Sequence, residues 1–133
     1  MTLLYIDDDA EDVELFCDAI KNIYPTCLCL VAQSAKEGLR VLETLIPDVI
    51  FLDINMPVMN GKEVLRTIRS RKDFEAVPVC MLSTTSNPLE IKMCKDLGAN
   101  ECFVKPNTFA ELCNTLNSFF TLKFLPRQAN RTM

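Results

Sequence analysis

Short apolar runs alternating five times with amphipathic helical segments predict an α/β chain, a doubly wound parallel sheet with right-handed crossovers. Two further observations support this class. The run DVIFLD at 48–53 is apolar at consecutive positions, as suits a central strand covered on both faces. Four runs also stop on residues able to handle a phosphoryl group: Asp7 and Asp8 after LLYI, Asp53 after VIFL, Ser83 after VCML and Lys105 after CFV. In a parallel sheet those strand ends lie side by side, and the polar residues converge on one crevice.

The elements follow in order. A strand at about 2–6 leads to Asp9, which can cap a helix with Glu11 and Asp12 in its first turn and an inward stripe of Val13, Phe16, Ile20 and Ile23; Tyr24-Pro25 ends it. TCLCLVA at 26–32 is the second strand. Ser34 to Glu37 forms a capping box opening a helix with Leu39, Leu42 and Ile46 inward, closed by Pro47. After the central strand comes the loop INMPVMNG, punctuated by Pro57 and Asn60-Gly61. The third helix, about Lys62 to Arg71, turns Val64, Leu65 and Ile68 inward and leaves Arg66, Arg69 and Lys72 to solvent. VPVCML at 77–82 is the fourth strand. Asn87, Pro88 and Glu90 start a helix that Gly98 stops. The fifth strand runs from about Glu101 to Val104, and Thr108 to Glu111 caps a last helix with Phe109, Leu112, Leu116 and Phe119 on one face.

Composition narrows the function. At 133 residues and 49% hydrophobic, the chain holds one domain with a two-sided core. A net charge of -4 without a basic run argues against nucleic acid or an anionic membrane as partner. No apolar stretch approaches a bilayer span, and a strand beginning at Thr2 leaves no room for a signal peptide, so a soluble cytoplasmic protein is expected. Seven cysteines without a CxxC pair read as buried free thiols of a reducing compartment. The absence of histidine excludes a Ser-His-Asp triad, a Cys-His pair and a Cys2His2 zinc site.

Taken singly, Asp53 reads as a strand-end cap, Ser83 as a hydroxyl bonded to its own Ser-Thr-Thr-Ser loop, and Lys105 as a solvated surface lysine. Together, in order and each at a strand terminus, they form a specific pattern. Asp7-Asp8, Asp53-Ile-Asn-Met-Pro57 with Gly61, Ser83 and Lys105-Pro106 resemble the receiver domain of two-component response regulators, the family of the chemotaxis regulator, over about residues 2–121. The resemblance implies a (βα)5 sheet of flavodoxin-like strand order 2-1-3-4-5. It also implies a phosphoacceptor switch, with self-phosphorylation and autodephosphorylation as its only catalysis. The opening Asp-Asp-Asp-Ala-Glu-Asp stretch is similar to single-domain regulators paired with phytochrome-like kinases.

Physical logic stands beside the resemblance. Three carboxylates within a few Å repel by roughly 4 kcal/mol per pair at about 4 Å and an effective dielectric of about 20, which calls for a hard, oxygen-seeking cation such as Mg2+. The family implies that Asp8, Asp53 and the Asn55 carbonyl hold the ion, with Asp7 acting mainly through water. Asp53 is then both ligand and phosphoacceptor, and Lys105 and Ser83 neutralise phosphoryl oxygens. The family also implies a cis Lys105-Pro106 bond and a phosphohistidine donor on a sensor histidine kinase or histidine phosphotransfer protein. A downstream protein target reads the switch.

Asn55, Thr84, Thr85 and Cys102 depart from the common pattern. The resemblance implies that Asn55 and Thr85 flank the path of attacking water and modulate phosphoryl lifetime, and Thr84 is expected to narrow access. Cys102 replaces a frequent aromatic, which puts an aromatic switch in doubt. A phosphatase of the haloacid dehalogenase type would need a second Asp where Asn55 stands, and a pseudo-receiver would not need the intact acidic pair, acceptor and lysine. Residues 1–121 are assigned to the receiver domain and 122–133 to a partly disordered C-terminal extension. The apolar Leu122, Phe124 and Leu125 of that extension are expected to cover this molecule's own surface or to pair two copies in a homodimer.

Overall fold

The computed structural model describes residues 1–131, with side-chain surroundings through Gln128. Five strands, β1 (Thr2–Ile6), β2 (Leu28–Ala32), β3 (Val49–Asp53), β4 (Val79–Ser83) and β5 (Glu101–Val104), form one parallel sheet of order β2-β1-β3-β4-β5. The sheet is the doubly wound, flavodoxin-like arrangement expected. Between the strands run α1 (Ala10–Ile23), α2 (Ala35–Val41), α3 (Gly61–Ser70) and α4 (Pro88–Asp96), and α5 (Phe109–Phe119) follows β5. No helix of the described residues is long and apolar enough to cross a membrane.

The period of two along each strand sorts the core into two layers. Leu4, Ile6, Ile50, Leu52, Val79 and Met81 face α2, α3 and α4, packing on Ala35, Val64, Leu65, Ile68 and Cys94. Leu3, Tyr5, Val49, Phe51, Cys80 and Leu82 face α1 and α5, where Phe16, Ile20, Leu116 and Phe119 meet them. Every residue of β3 and β4 is buried, as strands covered on both sides must be.

Caps fall where the side chains call for them. Asp9, Ser34, Asn60, Asn87 and Thr108 each accept a first-turn amide, and Gly98 ends the α4 turn at φ 108°.

Several expectations are corrected. The second helix stops at Val41, because Glu43 and Thr44 donate to Arg40 and Val41 carbonyls in i→i+3 fashion. The helical spacing then lapses, and Ile46 is exposed. Phe109, the first residue of α5, is also exposed, so the inward stripe effectively begins at Leu112. Arg69 does not face solvent. Its Nε donates to Gly98 O at 2.9 Å, and Nη1 and Nη2 donate to Phe74 O and Val77 O, both at 2.9 Å, while Nη2 also reaches Asn100 Oδ1 at 2.8 Å.

The helix of α5 continues past Phe119 through a π turn, Phe120–Phe124, into α6 (Leu125–Arg131). The Leu125 amide reaches back to Phe120 O, widening the ladder just before Pro126, which has no amide to donate. Phe120 and Phe124 are buried edge to face, 5.5 Å between ring centres, in the α1/α5 layer. Phe124 therefore covers this molecule's own core, whereas Leu122 and Leu125 are exposed.

Candidate functional site

Strand parity and strand order build the site. Asp7 continues the Leu3-Tyr5 row of β1, Asp53 the Val49-Phe51 row of β3, and Lys105 follows Phe103 beyond β5. All three rows face the α1/α5 side and end at the same edge of the sheet. Asp7, Asp8 and Asp53 offer carboxylate oxygens within 4.8 Å of one another, with Asp7 and Asp53 buried and Asp8 exposed. Gly61 lets α3 start directly against the acceptor: a Cβ there would run into the Asp53 carbonyl and sit 2.8 Å from Ile54 Cα.

Lys105 closes the site. Its backbone amide donates to Ser83 O at 2.7 Å, and its Nζ lies 2.7 Å from Asp12 Oδ2, 2.9 Å from Asp7 Oδ2 and 3.4 Å from Asp53 Oδ1. Among the described residues no peptide bond is cis, so the lysine reaches these carboxylates with Lys105-Pro106 trans, contrary to expectation. The remaining oxygen of Asp7 accepts the Asp9 amide at 2.9 Å, and the buried Tyr5 hydroxyl donates to Asp7 Oδ2.

Electrostatics follow this crowding. Burial first, and the Asp7 charge second, push the Asp53 carboxyl up to about 7, although Lys105 and the Asn55 amide pull it down. Burial works against the Lys105 ammonium, yet its hydrogen bonds to Asp12 and Asp7 and the charge of Asp53 raise it above the ordinary lysine value. Burial and the Asp7 charge likewise raise Tyr5. A buried carboxyl pushed upward beside two further carboxylates suits a dication, whose charge would favour the carboxylate form.

Ser83 is buried at the end of β4, where its Oγ accepts the Thr85 amide at 3.1 Å. That bond leaves its hydroxyl proton free to donate elsewhere. Asn55 and Thr84 are exposed at the rim and touch each other, Nδ2 to Oγ1 at 3.4 Å. Thr85, also exposed, accepts the Asn87 amide. Cys102 lies away from the carboxylates, half-buried against the α4 layer, its Sγ 4.0 Å from Ile91 O. In the loop after the acceptor, Met59 N–H closes on Pro57 O at 2.7 Å around Val58, a fully exposed β-branched residue at φ 67° and hence strained. A larger groove of about 650 Å3 lies apart from the carboxylates, between α2 and this loop.

Two participants escaped the sequence reading. Tyr5 reads as one more apolar strand residue, but it stands two before Asp7 and so shares its face. Asp12 reads as a first-turn helix acid. Its position one turn after the Asp7-Asp8 pair was the signal that it could turn back over the strand ends.

Three carboxylates gathered with an ammonium at the open end of a 2-1-3-4-5 sheet form a site suited to metal-assisted phosphoryl acceptance. The chain belongs to the response regulator receiver domain family, which matches residues 3–117. It is 33% identical over 105 residues to a protein-glutamate methylesterase/protein-glutamine glutaminase of Bacillus licheniformis, covering 79% of this chain and 29% of that protein. It is 40% identical over 81 residues to the transcriptional regulatory protein PrrA of Mycobacterium bovis, covering 61% of this chain and 34% of that one. The chain thus spans about a third or less of these two relatives. Among solved structures it resembles the phosphorylated cyanobacterial phytochrome response regulator RcpA, with TM-score 0.82, 26% identity and coverage of 92% and 94% of the two chains. It also resembles the chemotaxis response regulator CheY4 of Vibrio cholerae, with TM-score 0.78, 28% identity and coverage of 86% and 94%.

Proposed function

We propose that this chain works as a cytoplasmic response-regulator receiver that accepts a phosphoryl group on Asp53 and signals by protein contact. The observation that carries the reading is the placement of the Asp53 carboxylate, buried at the end of β3 between the acidic pair and Lys105 Nζ at 3.4 Å. The receiver proper is assigned to residues 1–121, supported by a family match ending at 117, and residues 122–133 are assigned to an extension, of which 132 and 133 lie outside the described residues.

Asp8, Asp53 and the Asn55 carbonyl, with Asp7 behind them, would hold Mg2+, which when bound would neutralise phosphoryl charge. In the transfer, an Asp53 oxygen forms the new bond to phosphorus as the N–P bond of a donor phosphohistidine breaks. The donor, protonated on its other ring nitrogen, leaves as neutral imidazole. No general base is required, because the nucleophile is a carboxylate. Lys105 follows the developing charge onto one phosphoryl oxygen, and the free Ser83 hydroxyl proton is available to another. Asn55 and Thr85 at the rim, with Thr84 beside them, modulate the approach of water.

Membership of the receiver family supports a sensor histidine kinase or histidine phosphotransfer protein as donor, and the phosphohistidine lies outside these 133 residues, which include no histidine. Likeness to the phytochrome regulator favours a phytochrome-like kinase. Acetyl phosphate with Mg2+ should add one phosphoryl group by intact mass, and Asp53→Asn should add none. Labelling of that variant at the wild-type rate overturns the assignment.

A further inference from the structure

We infer that Asp12 is a positioning residue that gives Lys105 a resting partner outside the acidic pocket and so eases the admission of a dication. The inference rests on the reading of Asp7, Asp8 and Asp53 as a cation site.

Asp9 accepts the Glu11 and Asp12 amides at 2.9 and 3.1 Å, which fixes the first turn of α1. This turn aims the Asp12 carboxylate back over the strand ends. Its contact with Lys105 Nζ, 2.7 Å, is shorter than those of Asp7 at 2.9 Å and Asp53 at 3.4 Å. Tyr5, Phe16, Leu82 and Leu112 wall the small cavity that Asp12 and Lys105 line, so the pair is partly shielded from solvent.

A lysine ammonium has three protons to donate; here Asp7 and Asp12 accept hydrogen bonds from it and Asp53 pairs with it at 3.4 Å, so three carboxylates surround it. Two of them, Asp7 and Asp53, belong to the trio that would face the cation; Asp12 does not. A dication drawn to that trio repels the ammonium. With Asp12 present, Lys105 can withdraw toward the rim and keep a charged partner. Without it, the ammonium falls back on Asp7 and Asp53 and competes with the cation for the same oxygens.

The test is a double-mutant cycle on Mg2+ affinity, measured calorimetrically with the full chain and no phosphodonor, folding being checked by circular dichroism. Asp12→Asn, nearly isosteric, should weaken Mg2+ binding about threefold to fivefold, the scale of a partly exposed ion pair. In a Lys105→Met background the same substitution should change affinity by less than about 1.5-fold, because the competitor is gone. Asp12→Glu should restore most of the affinity. An unchanged dissociation constant in Asp12→Asn overturns the proposal, and so does an equal loss with and without Lys105, which would mark a general charge effect. If the wild-type chain does not bind Mg2+, the cation-site reading itself fails, and this inference fails with it.

Discussion

Replacing Asp53 by Asn should stabilise the metal-free protein, and the gain should grow with pH. Burial and the Asp7 charge raise the Asp53 carboxyl from 3.8 to about 7 in the folded chain. Between those values the folded state retains a proton that the unfolded state has released. Stability therefore falls as pH rises through that window. At 1.36 kcal/mol per pH unit, the wild-type chain loses about 4 kcal/mol by pH 8, a large share of the ~5–15 kcal/mol that holds a domain together. The substituted carboxamide carries no charge at either pH and retains an oxygen to accept the Asn55 amide, so this loss is absent. The assay is urea unfolding followed by far-ultraviolet circular dichroism, in chelator, from pH 4 to 8.5. The variant and the wild type should have similar stability near pH 4 and separate progressively above it, and added Mg2+ should narrow the gap. Parallel profiles, or a variant less stable than wild type at pH 8, would show that Asp53 is not held under this electrostatic load.

Asp8, exposed at the mouth of the site, should be dispensable for folding but not for the cation: Asp8→Ala should lose at least about tenfold in Mg2+ affinity by calorimetry with an unchanged circular dichroism spectrum. Phe124→Ala should cost about 3 to 4 kcal/mol in urea unfolding, because the ring is buried, whereas Leu122→Ala should stay within about 0.5 kcal/mol; equal effects would refute the packing of this segment on the core. Ser83→Ala should weaken phosphorylation-dependent binding of a downstream partner, while Cys102→Ala, whose side chain lies in the α4 layer away from the carboxylates, should leave it nearly intact in the same pull-down titration.

The residues legible in the sequence were those whose role depends on topology alone. Once five strands are parallel, Asp7, Asp8, Asp53 and Lys105 must meet, and the caps at Asp9, Ser34, Asn60, Asn87 and Thr108 follow from local chemistry. What stayed hidden depends on contacts between elements distant in the chain. Arg69 looks like any solvated helix arginine, because its four acceptors come from Phe74, Val77, Gly98 and Asn100. Asp12 meets Lys105 across 93 positions of sequence. Ile46 kept the helical spacing on paper, but i→i+3 closure ended that spacing before it reached the residue. Phe124 was expected on a covered surface, and only the π turn ahead of Pro126 shows that the surface is its own.

The Arg69 clasp also has a mechanical meaning. The Gly98 carbonyl it holds lies just past the end of α4, Ala99 N–H returns to Cys94 O at 3.0 Å, and Cys94 is fully buried. At the other end, residues 84–89 are exposed, and the link from Glu90 to Lys62 is 3.5 Å long. The helix, about 13 Å long, is thus held by buried groups at its far end and by the exposed Thr85 and Asn87 side chains at the end beside Ser83. The firmer end of α4 is therefore the one remote from the carboxylates, and the turn nearest Ser83 rests on hydrogen bonds that solvent can reach.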